Sequence, residues 1–149
     1  MSSSIEVYNP MNAFHSSINI LEKNGIRATK QRRVLAKLIF DKGKRHLSAE
    51  NLFDEVKKEE RKISMATVYN TLKQFTNLGL IREIVVDQNK SLYCNNNQSH
   101  YHLYIEDEGK VIDIPTKNID LDIPSIPACL QLHDIDVIVR IRTLKDKKS

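Results

Sequence analysis

Four glycines in 149 residues leave little material for a glycine-rich phosphate loop. No nucleophile–base arrangement or paired-acid motif stands out either, so the chain reads as a binding protein and not an enzyme. It has two cysteines, Cys94 and Cys129, neither in a Cys-x-x-Cys pair. That count excludes a structural four-cysteine zinc site and gives no disulfide framework. Long hydrophobic runs are absent: stretches such as Val34-Leu35-Ala36 and Leu38-Ile39-Phe40 are far too short to span a bilayer. The opening Met1-Ser2-Ser3-Ser4-Ile5-Glu6 lacks the basic and then apolar regions of a secretory signal. The expectation is a cytoplasmic protein with no membrane partner.

What the chain does have is charge, unevenly placed. Residues 1–90 carry 16 Lys and Arg against 10 Asp and Glu, whereas residues 91–149 carry 7 against 9. Nine basic residues fall between Lys23 and Arg45, opposed only by Asp41. A basic half suits phosphate, although charge alone fits a solvated basic face equally well.

Periodicity divides the chain in two. Residues 1–10 read as a loose arm. Phe14, Ile18 and Leu21 recur at helical spacing up to Gly25. Thr29 can cap a second helix with Val34, Leu35, Leu38 and Ile39 inside, closed by Gly43. Ser48 can cap a third, whose stripe is Leu52, Phe53 and Val56. Ser64 can cap a fourth, burying Val68, Leu72, Phe75 and Leu78 and ending at Gly79. The β-branched segment Ile81–Val86, a turn at Asp87–Lys90 and a strand from Leu92 to Cys94 complete a hairpin. Helices followed by a hairpin are the winged form of a helix-turn-helix. Beyond the polar hinge Asn95–Ser99, strands are expected at His102–Glu106 and Lys110–Ile114 around Asp107-Glu108-Gly109, and at Ile135–Ile141. Pro115, Pro124 and Pro127 disfavour a long helix between them. Lys145–Ser149 is a polar tail. The fold class is therefore α+β: a winged helix-turn-helix domain over residues 1–95, then a small α/β domain over 96–149.

The fourth helix turns Met65, Thr67, Tyr69, Asn70, Lys73 and Gln74 outward. Thr and Tyr can touch a thymine methyl, Asn and Gln can bond base edges, and Lys can reach phosphate. Arg82 and Lys90 on the hairpin can hold the backbone beside it. An ordinary amphipathic helix would look the same in isolation; the order of capped helices, hairpin and basic segment favours double-stranded DNA. Among the five histidines, His100-Tyr101-His102 stands out, because i and i+2 share one face of a strand and both imidazoles can meet one ion. His15 and His133 read as surface residues and Cys129 as buried.

Gly25-Ile26-Arg27-Ala28-Thr29-Lys30-Gln31-Arg32, His46-Leu47-Ser48-Ala49-Glu50-Asn51-Leu52, Ala66-Thr67-Val68-Tyr69-Asn70-Thr71-Leu72-Lys73-Gln74-Phe75 and Gly109-Lys110-Val111-Ile112 together resemble the ferric uptake regulator family, over roughly residues 15–142. Within it the chain looks most like the iron response regulators of alphaproteobacteria. The grounds are Thr71–Thr76 followed by Gly79–Glu83, the missing Cys-x-x-Cys with Ile105 and Glu108 in its places, and the ending Asp136–Arg142. The resemblance implies a homodimer on a pseudo-palindromic, A·T-rich operator. By the resemblance Tyr69 would touch thymines, Arg27 would enter the minor groove, and Arg32 and Asn70 would steady the backbone; Thr67 and Lys73, read from the outward helix face, complete the contact set. Many relatives have Arg at the position of Asn70, which implies one weaker phosphate contact here.

By the same resemblance, the regulatory metal site comprises His46, Cys94, His100 and His102, with Asp113 at its margin, and joins wing, hinge and second domain. Cys94 stands where relatives carry an acid. The implied cofactor is one divalent metal per subunit (zinc, iron or manganese), or haem at His100, Tyr101 and His102. The iron response regulators carry three histidines at that last position, and tyrosine can also ligate haem iron. A second family site is lost, because Ser99 and Tyr101 replace its usual ligands. Zinc- or peroxide-responsive regulation, and a winged-helix interaction module without metal sensing, are the alternatives.

Overall fold

The computed structural model describes residues 10–145, with side chains from Ser17 onward. The expected arm, the side chains of Phe14 and His15, and the end of the polar tail lie outside the described residues. The chain divides into two compact units, residues 1–97 and 98–149.

In the first unit, α1 (Pro10–Lys23), α2 (Lys30–Phe40), α3 (Ala49–Lys58) and α4 (Met65–Asn77) precede a three-stranded antiparallel sheet. The last three helices start where a hydroxyl is available to cap them. Thr29 accepts from the Arg32 N–H, Ser48 from that of Asn51 and Ser64 from that of Thr67. At Ser48 the Asn51 side chain reaches back to the cap's own N–H, closing a capping box. Three helices end with the same paired bonds. Ile26 N–H reaches Leu21 O, Arg61 reaches Val56 and Leu80 reaches Phe75, each preceded by a residue of positive φ. Gly25 and Gly79 take that conformation freely, but on α3 it falls to Glu60 at φ 55°.

The helices bury Leu21, Leu35, Ile39, Leu52, Val56, Val68, Leu72 and Phe75, and Phe40 tilts onto Phe75 with ring centroids 5.8 Å apart. Two helix assignments change. Leu78, expected inside, is 43% exposed. It lies ten residues past Val68, roughly 80° off the buried stripe. Met65, expected outside, packs on the core because it lies seven residues before Leu72 on the same face.

The sheet of this unit runs in the order β1 (His46–Leu47), β3 (Lys90–Cys94), β2 (Arg82–Asp87). β1 is too short to show in any periodicity. Asn95 and Arg45 fasten it. The Asn95 amide nitrogen donates to the carbonyls of Ile39 and Gly43, both at 2.7 Å, and its oxygen accepts from Arg45 N–H at 2.8 Å. The Arg45 guanidinium donates to Leu38 O and clasps the Glu55 carboxylate with both terminal nitrogens.

The second unit is a sheet in the order β5 (Lys110–Pro115), β4 (His100–Ile105), β6 (Ile138–Ile141). β4 and β5 are antiparallel around the Asp107-Glu108-Gly109 turn, and β6 runs parallel to β4. β4 begins two residues earlier than its sequence suggests. β6 begins three residues later than expected, because the Asp134 carboxylate takes the Ile135 N–H locally and only Val137 O reaches β4 ahead of the ladder. Between β5 and β6 the chain forms one 3₁₀ turn, Thr116–Asn118, and otherwise irregular backbone. Beyond β6, Arg142 pairs with Glu106 at 2.7 Å and Thr143 N–H bonds Asp107.

Candidate DNA-reading face and candidate metal centre

Capping by Ser64 places α4 with Val68, Thr71, Leu72 and Phe75 against the core. The opposite face carries Tyr69, Asn70 and Lys73, all exposed, with Thr67 and Gln74 half-buried. The Thr67 hydroxyl lies 2.9 Å from that of Ser64, so it serves the cap as well. Within this unit the start of α2, from Thr29 to Arg32, and α4 at Thr67, Asn70 and Lys73 line one open groove. Arg32 is half-buried there and its guanidinium donates to Arg27 O at 3.0 Å, tying the two arginines together; the Arg27 side chain is exposed. The groove thus offers cations, amides and a helix N-terminus, the groups that take phosphate and base edges.

Tyr69 is 45% exposed, yet its hydroxyl is held: it donates to the Glu50 carboxylate at 2.7 Å. That bond pushes the phenol above its ordinary range and holds Glu50 below the usual carboxylate range. Burial raises the neighbouring Tyr93 phenol, with the Glu83, Tyr69 and Glu50 charges adding to it. Glu50 was not among the residues picked from sequence. Its only signal there was an acid in the first turn of α3, which helix-end electrostatics alone would explain.

In the same unit His46 and Cys94 are direct partners across β1 and β3, which places both side chains on one face of that sheet. Cys94 is 1% exposed and Arg82 is its partner on the other side. In the second unit strand alternation buries His100, His102 and Tyr104 together. The ring nitrogens Nε2 of His100 and His102 lie 2.8 Å apart, their rings edge-on at 83°. Register does the rest: Asp113 is opposite His102 on β5, and its Oδ1 is 3.3 Å from His100 Nε2 and 3.6 Å from His102 Nε2. The His100 Nδ1 sits against the Gln98 carbonyl, which can only accept. That contact calls for a proton on Nδ1 and turns Nε2 toward Asp113 and His102. The same alternation puts Tyr101 on the other face of β4, so a group on the histidine face does not meet it. Cys129, expected buried, is exposed in the turn after Pro127.

Capped helices, a hairpin wing and a polar, cationic outer face on the last helix define a winged-helix DNA-binding protein. The model of the ferric uptake regulator family matches residues 23–141, and the chain belongs to that family of transcription regulators. A peroxide-responsive repressor of Staphylococcus aureus is 29% identical over 110 residues, 74% of each chain. The ferric uptake regulator of Pseudomonas aeruginosa with manganese superposes with a TM-score of 0.67 at 22% identity, over 87% of this chain and 98% of that one. The peroxide stress regulator of Campylobacter jejuni gives 0.58 at 25% identity, over 87% and 97%. Among the described residues no helix is long and apolar enough to cross a membrane.

Proposed function

We propose that the chain is a metal-responsive transcription regulator that acts as a homodimer on A·T-rich, pseudo-palindromic DNA. In this reading α4 lies in the major groove and the Thr29–Arg32 segment on the flanking phosphates. Tyr69, Asn70 and Lys73 supply the outer contacts and Arg27 reaches the minor groove. The edge position of β6 and the exposed Leu121, Ile123, Leu130 and Leu132 support a second copy as the partner of the C-terminal unit.

The observation that carries metal sensing is the convergence of His100, His102 and Asp113, with the His100 ring oriented by the Gln98 carbonyl. Two imidazoles and a carboxylate are a fitting donor set for zinc, ferrous iron or manganese. We further propose His46 and Cys94 as metal ligands. They are direct cross-strand partners on one face of the first sheet. A bound ion would supply positive charge that holds these side chains together. A thiolate ligand would favour zinc. Haem at His100 and His102 is the rival ligand, without Tyr101, and the similarity to peroxide-responsive repressors supports a peroxide response as the second reading.

Metal analysis of the purified protein, with DNA affinity measured in zinc, ferrous iron and haem, tests this. Zinc should bind one per subunit and change DNA affinity, and His102→Ala should weaken zinc binding more than tenfold. Equal zinc affinity in His102→Ala, or a Soret band on haem addition with no metal response, would overturn it.

A further inference from the structure

We infer that Glu50 is a positioning residue for DNA reading: its carboxylate, anchored at the start of α3, holds the Tyr69 hydroxyl so that the ring is presented in one orientation. This rests on the reading of α4 as the recognition helix. The two residues are 19 apart in sequence and on different helices, yet Tyr69 Oη donates to Glu50 Oε1 at 2.7 Å. The acceptor is itself fixed. Glu50 is the second residue of α3, beyond the Ser48 capping box, where helix N–H groups favour a negative charge. The bond in turn raises the Tyr69 phenol and lowers the Glu50 carboxyl pKa.

Tyr69 is nearly half exposed, so packing alone leaves its side chain a choice of rotamers. With the hydroxyl donated to Glu50, that group is directed to protein and the apolar ring is what faces outward. A ring so held can read a thymine 5-methyl without being ordered at the moment of binding. The acid also places a negative charge beside the interface, where phosphate would disfavour it. Its presence there is explained by what it holds.

The test uses the full chain and two duplexes: one selected from a randomised library by the wild-type protein, and one scrambled to the same composition. The readout is the ratio of the two affinities at fixed salt. Glu50→Ala should lower the ratio about three- to tenfold, the scale of ordering one side chain on binding. Tyr69→Phe should lower it similarly, and the double variant should add little. Glu50→Gln keeps an acceptor oxygen without the charge and should retain most of the ratio. Replacement of the contacted thymines by uracil should lower wild-type affinity more than that of Glu50→Ala. If Glu50→Gln falls as far as Glu50→Ala, charge and not position is responsible and the inference is overturned. It is equally overturned if Glu50→Ala and Tyr69→Phe act additively or leave the ratio unchanged. Failure of the wild-type chain to discriminate between the duplexes would instead overturn the recognition-helix reading itself. Thermal melts accompany each variant, and if Glu50→Ala is unstable an unchanged ratio in Tyr69→Phe overturns the inference by itself.

Discussion

Replacing Asn95 by alanine should destabilise the first unit far more than a half-buried loop asparagine ordinarily would. The side chain joins three stretches of chain: the end of α2 through Ile39 O, the following turn through Gly43 O, and the approach to β1 through the Arg45 N–H. Truncation leaves two carbonyls and one amide without these partners. A neutral hydrogen bond contributes about 1 kcal/mol net, so the loss is about 2–3 kcal/mol, allowing for partial rescue by water. For a unit of this size that corresponds to a drop in Tm of roughly 10–20 °C. Far-UV circular dichroism follows it, since the four α-helices among the described residues lie in this unit. Asn95→Asp sharpens the test. The ionised carboxylate can accept from Arg45 but cannot donate to Ile39 and Gly43, and it sets oxygen against oxygen. It should be less stable than Asn95→Ala at neutral pH and recover in part as acid protonates it. A Tm for Asn95→Ala within about 2 °C of wild type, or Asn95→Asp more stable than Asn95→Ala, would refute the argument.

Two further outcomes follow from the basic segment. Burial raises the Glu55 pKa, but the hydrogen bonds and charge of Arg45, with help from Lys42, more than offset that and hold it below its ordinary value of 4.5. A depressed carboxylate adds stability that is present above the unfolded-state pKa and lost as pH falls through the folded-state one. Arg45→Ala should therefore cost roughly 1–2 kcal/mol at neutral pH, after discounting for solvent screening, and the difference from wild type should shrink below about pH 4. Urea titrations at the two pH values check this, while the salt dependence of DNA binding should be unchanged because this guanidinium is committed to Glu55. Arg32→Ala should instead weaken binding to selected and scrambled DNA alike and reduce the salt slope by about one unit, whereas Tyr69→Ala should lose discrimination; anisotropy titrations over a salt series separate the two.

Local chemistry was legible in the chain alone. The caps at Thr29, Ser48 and Ser64, the stops at Gly25 and Gly79, and the stripe Val68, Leu72, Phe75 depend on residues three or four apart, so their spacing is enough to read them. Strand alternation, a period of two, likewise places His100 and His102 on one face. Stripe edges were misread at Leu78 and Met65, although helical spacing itself sets the first off the stripe and the second on it.

Tertiary structure alone decided the long-range pairings. Only strand register sets Asp113 opposite His102, or makes His46 the partner of Cys94. Only the packing of α3 beside α4 brings Glu50 to Tyr69. Arg45 and Asn95 looked like a basic residue and a hinge residue; folding committed Arg45 to Leu38 O and the half-buried Glu55 carboxylate, and Asn95 to the carbonyls of Ile39 and Gly43. A linear sequence encodes neighbours along one helix or strand directly, whereas contacts between elements depend on register and angle set by the whole core.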